Sequence, residues 1–149
     1  MILHKLDTKC MNKEYTDFQV GDKASVKRAF SEDEVIKFSE SSGDENPIHF
    51  DKEYALKSRF KKRIVQGPFV ASIFGGLLGS ELPGPGTIYI NQTTNFLAPV
   101  FIDERINVQV EIIELREDKP IITLRTWAEK ESGEIVIDGK ATVYFIKPF

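Results

Sequence analysis

The order of hydrophobic and polar positions divides the chain into a helical first half and a strand-rich second half. Alternation of apolar and polar residues predicts a short strand at Ala24–Phe30. Ser31 and Glu34 then form a capping-box pattern, which predicts a helix that runs to about residue 41. A second short helix is predicted at Lys52–Lys57, after a polar loop.

The most apolar segment of the chain begins at Val65 and has the sequence VQGPFVASIFGGLLGSELPGPG. Gly67-Pro68 marks a helix start, because a proline at the first helical position has no amide hydrogen to lose. The helix predicted at Pro68–Leu82 is apolar or small on every side, so we expect it to be buried all round. Each glycine in it costs about 1 kcal/mol relative to alanine. We therefore expect another backbone to approach this helix closely.

From Thr87 onward, the period of the hydrophobic pattern changes to two, which is typical of strands. Four successive strands are predicted, at Thr87–Asn95, Ile106–Ile112, Ile122–Ala128 and Ile135–Phe145. One apolar face and one polar face describe an antiparallel sheet that is covered on one side. The whole pattern predicts an α+β fold in which a curled antiparallel sheet wraps around one long buried helix.

Length and composition narrow the class of protein. The 149 residues suit one domain, which we place at residues 15–149 after an N-terminal extension at 1–14. The single cysteine, Cys10, cannot form an internal disulfide. A net charge of −3 argues against nucleic acid as the main partner. No segment reaches the roughly 18 apolar residues of a membrane span, and the N-terminus lacks a signal or transit pattern. We expect a soluble, cytoplasmic protein.

The polar loop between the first two helices holds the main candidates for chemistry. His49 can exchange protons at neutral pH, because the reference pKa of histidine is about 6.5. Asp44 precedes it across Asn46-Pro47, a pair that favours a turn and can bring carboxylate and imidazole to one side. Two other interpretations stay open. The polar residues only shape and cap the loop, or they join Asp51 as metal ligands, although one histidine and two carboxylates make a poor zinc set.

Two further features lie at the start of the most apolar helix and just before it. Backbone N–H groups at a helix start lack partners and carry partial positive charge. The Gly67 amide could therefore hold a carbonyl oxygen that gains negative charge, or the site is a simple helix start. Five basic residues lie just before it: Lys57, Arg59, Lys61, Lys62 and Arg63. They could meet phosphates, as on coenzyme A or a phosphopantetheine arm, or form a solvated loop.

Together, these features resemble the MaoC-like (R)-specific enoyl-CoA hydratases, which have the hot-dog fold. The matching segments are SGDENPIHFD at 42–51, IVQGPFVASIFGGLLGSELPGPGTIYINQTTNFLAPVF at 64–101 and LREDKPI at 115–121. The resemblance extends from about Tyr15 to the C-terminus. It implies a homodimer or larger homo-oligomer of hot-dog domains in fatty-acid metabolism. Such an enzyme adds water reversibly to trans-2-enoyl-CoA to give (R)-3-hydroxyacyl-CoA, with no metal or cofactor besides the thioester substrate.

The resemblance also implies roles for individual residues. By position, Asp44 and His49 match the catalytic dyad, and Gly67 matches the amide that binds the thioester carbonyl. Gln66 stands where family members often carry histidine; glutamine donates a hydrogen bond but cannot carry a proton at neutral pH. The candidate substrate-binding residues are Asn46, Gln66, Phe69, Val70, Phe74, Leu78, Lys61 and Lys62.

Three alternative functions are also compatible with the sequence. A 3-hydroxyacyl-carrier-protein dehydratase runs the same chemistry in reverse, and the basic residues from Lys57 to Arg63 would suit an acidic carrier protein. Hot-dog domains also serve as acyl thioesterases, because a fold alone does not decide function. The third alternative is a non-catalytic acyl-thioester-binding module. In each case the expected partner is an acyl-CoA or acyl-carrier-protein thioester, not a nucleic acid or a membrane.

Overall fold

The structure, a computed structural model, describes residues 13–148. Almost all of the predicted N-terminal extension, including Cys10, lies outside the described residues. The helices are α1 (Glu32–Ser42), α2 (Lys52–Lys57) and α3 (Gly67–Ser80). The strands are β1 (Lys23–Arg28), β2 (Thr87–Phe96), β3 (Ile106–Leu115), β4 (Ile121–Lys130) and β5 (Ile135–Phe145). Within residues 13–148, no helix is long and apolar enough to cross a membrane.

The five strands form one antiparallel sheet in the order β1-β3-β4-β5-β2. Short hairpins join β3, β4 and β5, whereas β2 pairs with β5 and forms an edge of the sheet. The predicted alternation is confirmed on β3, where Ile106, Val108, Val110 and Ile112 are all buried. The apolar face of the sheet therefore points at the helical layer and forms the core with it.

Helix α3 is the predicted central helix, but only one side of it is covered. Its buried residues are Val70, Phe74, Leu77 and Leu78. The opposite side is exposed at Ser72, Gly76 and Gly79, and a Cβ at either glycine would meet no atom of residues 13–148 within 4 Å. Within these described residues of one chain, the expectations of burial all round and of close backbone approach at these glycines are therefore wrong. The reason is that the sheet curls around one side of the helix.

Helix α1 leads into the polar loop that carries the candidate dyad. Its predicted capping box is confirmed, since the Glu34 N–H donates to Ser31 Oγ and the Ser31 N–H donates to Glu34 Oε2. This Ser31 bond, together with the Arg28 guanidinium, holds the pKa of Glu34 below its usual range. At the other end, Gly43 ends the helix with φ +76°, a left-handed conformation that glycine adopts without strain.

Candidate active site

The loop after α1 is folded by its own hydrogen bonds. The Asn46 side chain accepts from the Ile48 N–H at 3.3 Å and so caps a single 3-10 turn, Pro47–His49. Asp44 Oδ1 accepts from the Asn46 N–H at 3.1 Å, and the Ser39 hydroxyl donates to the Asp44 carbonyl. Because these bonds join residues close in sequence, the loop folds back as the Asn-Pro pair predicts.

This fold brings Asp44 and His49 together. Asp44 Oδ2 lies 3.5 Å from His49 Nε2, a little beyond an ordinary N–H···O hydrogen bond. On the other side of the ring, His49 Nδ1 lies 2.7 Å from the Ile64 carbonyl oxygen. The His49 side chain is 7% exposed, whereas the Asp44 side chain is 37% exposed. The dyad therefore has a buried imidazole and a carboxylate that reaches solvent.

The Ile64 carbonyl fixes which nitrogen of His49 carries the proton. A carbonyl oxygen can only accept, so Nδ1 must donate to it. In the neutral imidazole, Nε2 then presents a lone pair toward Asp44, whose carboxylate also only accepts. Two acceptors that face each other need a donor beside them. A water molecule supplies two O–H groups, so the pair is suited to hold one water.

The segment around Ile64 is itself tied to the dyad loop and to α1. Arg63 Nη1 donates to the Phe50 carbonyl at 3.2 Å and to Glu32 Oε1 at 2.6 Å. The Ile64 N–H donates to the Ile48 carbonyl at 3.4 Å. The hydrogen bond from Arg63 also holds the pKa of Glu32 below its usual range. Arg63 therefore serves the structure of the loop, although the sequence places it in the basic run.

Gly67 lies at the first position of α3, on the wall of an apolar cavity of about 380 Å³. Within residues 13–148, its N–H donates to no acceptor. A Cβ at this position would lie 2.8 Å from the ring of Phe96, so the ring covers the place where a side chain would stand. Phe96 is nevertheless 54% exposed. The cavity therefore offers a free amide at a helix N-terminus beside an open aromatic ring.

Part of the apolar cavity is formed by residues that the sequence analysis did not single out. Its wall comes from the 59–70 segment, from the end of β2 with the residues that follow it, and from Ile137 of β5. The principal lining residues are Arg59, Phe60, Ile64, Phe96, Leu97 and Pro99. In the sequence, the residues at and after the end of β2 could have been identified from the apolar run FLAPVF at 96–101. This run lies inside the matching segment 64–101. Arg59 is the cation on this wall, with its guanidinium 4.8 Å from the centre of the Phe60 ring.

The predicted substrate-binding residues of α3 divide into two groups. Val70 lines the apolar cavity. Phe74 and Leu78 are fully buried under the sheet. The ring of Phe69 packs between Phe30 and Phe38, with centroids 4.8 Å apart in each case. The structure thus places most of this group in the core, and the cavity draws on other segments.

The polar candidates have distinct positions. Gln66 is buried, and its side-chain N–H donates to the Val35 carbonyl at 3.1 Å, which ties the start of α3 to α1. Its Oε1 has no hydrogen-bond partner among residues 13–148. Lys61 and Lys62 line a second concave surface, on the other side of the 59–64 segment from the apolar cavity. None of these three side chains is on the wall beside Gly67.

The metal interpretation of the loop is not supported by its geometry. Asp51 Oδ1 accepts from the N–H groups of Glu53 and Tyr54, so this carboxylate caps α2. Across residues 13–148, no three His, Cys, Asp or Glu side chains are grouped so that they could hold a metal ion.

Within residues 13–148, Ile64 connects the dyad to the cavity that holds Gly67. The Ile64 carbonyl binds His49, and the same residue lines the apolar cavity. Neither Asp44 nor His49 is part of the cavity wall. A single chain therefore presents the reactive groups as two neighbouring parts rather than as one pocket.

Known proteins match this chain over most of its length. A profile described as MaoC like domain matches residues 16–132. The chain is 42% identical over 125 residues to the (R)-specific enoyl-CoA hydratase of Aeromonas caviae, covering 84% of this chain and 93% of that protein. It is 38% identical over 130 residues to a mitochondrial 3-hydroxyacyl-(acyl-carrier-protein) dehydratase of Arabidopsis thaliana, covering 85% and 77%.

The fold of the chain also superposes on solved structures. An (R)-hydratase from A. caviae involved in PHA biosynthesis superposes with a TM-score of 0.85 at 41% identity, covering 87% of this chain and 98% of that one. The predicted hot-dog fold is confirmed by this similarity.

Proposed function

Because the chain belongs to the family of MaoC-like domains, we propose that it is an (R)-specific enoyl-CoA hydratase. This hydro-lyase adds water reversibly across the C2=C3 bond of a trans-2-enoyl-CoA and gives an (R)-3-hydroxyacyl-CoA. The observation that carries the proposal is the Asp44–His49 pair at 3.5 Å, with His49 Nδ1 fixed by the Ile64 carbonyl. The identity to the A. caviae hydratase supports the substrate class and the stereochemistry.

The dyad binds and activates the water. A water that donates one O–H to His49 Nε2 and the other to Asp44 Oδ2 keeps a lone pair free for the substrate. As its oxygen bonds to C3, Asp44 takes the proton. A proton then passes from the same site to C2, so that H and OH are added overall. General acid–base catalysis of this kind contributes about 10²–10⁴ in rate.

The amide of Gly67 activates the thioester. Its N–H donates to no competing acceptor among residues 13–148 and lies at the positive end of α3. A hydrogen bond to the thioester oxygen draws electrons from C3 and stabilises the enolate that forms when water attacks. One such donor is worth about 10²–10³ in rate. The scheme uses a carboxylate, an imidazole, an amide and water, so we propose that the reaction takes no metal or organic cofactor.

A second copy of the chain completes the site in this proposal. The edge strand β2 exposes Ile88, Tyr89 and Ile90, and α3 exposes its small-residue side. An apolar edge strand of this kind is a surface that proteins cover. A homodimer, or a larger homo-oligomer, joined at these surfaces would close the apolar cavity and unite it with a dyad. The exposed small residues would then allow the close helix packing that a single chain does not show.

A 3-hydroxyacyl-carrier-protein dehydratase is the second candidate. It is favoured by the basic residues before α3 and by the 38% identity to the A. thaliana dehydratase. The two functions share the dyad and differ in the carrier of the acyl group.

The test is turnover of trans-2-enoyl-CoA substrates with short, medium and long acyl chains, followed by chiral analysis of the product. We expect (R)-3-hydroxyacyl-CoA and no release of free thiol. Thiol release without hydration would identify a thioesterase instead. Binding of the acyl-CoA without turnover would identify a non-catalytic module, and turnover of carrier-protein thioesters alone would identify the dehydratase.

A further inference from the structure

A basic groove lies behind the wall of the apolar cavity. The 59–64 segment contributes to both surfaces: Arg59, Phe60 and Ile64 line the cavity, whereas Lys61, Lys62 and Arg63 line the groove. Lys52 and Leu56 of α2, together with Phe101 and Ile102, complete this groove, which has a volume of about 390 Å³. An antiparallel bridge between Ile64 and Phe101 forms the shared wall. The cavity and the groove are therefore separated by one segment of the chain.

The cations of the groove differ in whether they are available to a ligand. Arg63 is held by Glu32 and by the Phe50 carbonyl, and the charge of Lys52 also acts on Glu32. Lys61 and Lys62, in contrast, are exposed and have no carboxylate partner within residues 13–148. Two free ammonium groups thus stand at one side of the groove.

The backbone and the floor of the groove add two independent observations. Lys61 has φ +61°, a left-handed conformation that residues other than glycine rarely adopt, and such residues cluster at ligand sites. The floor is apolar and aromatic: Leu56 is exposed, and the Lys62 ammonium lies 5.8 Å from the centre of the Phe101 ring. Free cations beside an aromatic, apolar floor match a ligand that carries both phosphates and a base.

We propose that the basic groove binds the nucleotide end of the coenzyme A substrate, its 3′-phosphorylated adenosine diphosphate. The phosphates meet Lys61 and Lys62, while the apolar cavity holds the thioester end. This proposal rests on the proposed hydratase function and deepens it. The groove favours a nucleotide over a carrier protein, because it is a small concavity, whereas a protein partner needs a broad contact surface.

The experiment compares two thioesters that differ only in the nucleotide, crotonyl-CoA and crotonyl-pantetheine. We expect the wild type to prefer crotonyl-CoA in kcat/KM. In Lys61→Gln/Lys62→Gln, kcat/KM for crotonyl-CoA should fall about 5- to 10-fold, since each exposed charge contact is worth little. The kcat/KM for crotonyl-pantetheine should stay unchanged. Lys119→Gln/Lys140→Gln is the matched control, because it removes the same charge from residues outside both concave surfaces.

Adenosine 3′,5′-bisphosphate provides a second measurement that needs no turnover. Calorimetry should show that it binds the wild type and the control, and that it binds the Lys61/Lys62 variant at least about 5-fold more weakly. Equal losses for both thioesters, no loss for either, or an equal loss in the control would overturn the proposal. A selective loss for carrier-protein thioesters would overturn it in favour of carrier docking. If the wild type hydrates neither thioester, the hydratase function fails, and the bisphosphate titration alone decides the groove.

Discussion

The dyad loop and the start of α3 present their reactive groups in opposite ways. The loop offers two side chains, Asp44 and His49, and holds them with hydrogen bonds from Asn46 and to the Ile64 carbonyl. The start of α3 offers a backbone N–H at Gly67, and the packing of the Phe96 ring against this position leaves no room for a side chain. In the loop, residue identity supplies the chemistry. At the helix start, every residue but proline has an N–H, so identity decides only whether that N–H is accessible and correctly placed.

This contrast predicts opposite behaviour on substitution. A shape-conserving change in the loop should remove the chemistry and leave the fold intact. A change at the helix start should keep the chemical group and displace its surroundings, so a second substitution should be able to restore it.

The largest expected effect is in the loop. Asp44→Asn keeps an oxygen for the Asn46 N–H but loses the base, and His49→Gln loses the Nε2 acceptor. Each should lower kcat for crotonyl-CoA hydration by about 10²–10⁴, because general acid–base catalysis contributes that much. The measurement is the loss of enoyl absorbance, with circular dichroism to show that folding is unchanged. Near wild-type turnover in either variant would remove that residue from the mechanism.

A matched carboxylate outside the site serves as the control for this prediction. Asp118 binds Arg116 in the hairpin between β3 and β4, and the pKa of Asp118 is lowered by that hydrogen bond. Asp118→Asn should leave kcat and KM unchanged. An equal loss of rate in this variant would point to a general effect of charge rather than to the dyad.

The next largest effect is expected at the helix start. In Gly67→Ala the new methyl group would lie 2.8 Å from the Phe96 ring, so the ring or the helix must move. We expect kcat to fall about 10²-fold, the loss typical of a misplaced reactive group. The double variant Gly67→Ala/Phe96→Leu has a smaller side chain at the contact and should recover most of that loss. A large loss in Gly67→Ala without recovery would show that the amide position does not depend on Phe96.

The same contrast explains how much the sequence could predict. The dyad loop was predicted because its turn depends on neighbours: Asn46 caps the turn that ends at His49. The helix start was predicted from Gly67-Pro68 for a similar local reason. The contact of Phe96 with Gly67 could not be predicted, because it depends on β2 lying at the sheet edge beside β5. Tertiary packing of this kind joins residues that no local pattern relates.

The side of α3 that faces solvent shows the same limit. Its small residues indicated a tightly packed helix, but no atom of the part of the chain that the structure describes covers Gly76 or Gly79. The direction of the Gln66 side chain toward the Val35 carbonyl also depended on how α1 packs against α3. Composition predicted which residues can be buried against another element. The arrangement of the helices and the sheet decides which of them are buried within one chain.

The smallest expected effect comes from the 63–64 segment, which connects the dyad loop to the cavity beside Gly67. A substitution there tests whether the dyad loop depends on hydrogen bonds other than its own. Arg63 holds the 63–64 segment, and hence the Ile64 carbonyl on His49, against Phe50 and Glu32. Arg63→Gln should lower kcat about 10-fold, less than the roughly 10²-fold of a 1 Å misplacement, because the support is loosened but not removed. It should also change the pH profile of kcat, which a merely stabilising contact would not. Glu32→Gln is the control, since it keeps the Arg63 bond to the Phe50 carbonyl.

Because the pKa of Glu32 is lowered in the folded state, its ion pair stabilises the protein above the ordinary glutamate pKa of about 4.3. The ion pair loses that effect as pH falls through the folded-state pKa. The thermal midpoint of Glu32→Gln should therefore fall below that of the wild type at neutral pH and converge with it in acid, while its kcat stays near wild type. If Glu32→Gln loses as much kcat as Arg63→Gln, the ion pair, and not the bond to the dyad loop, is what positions His49.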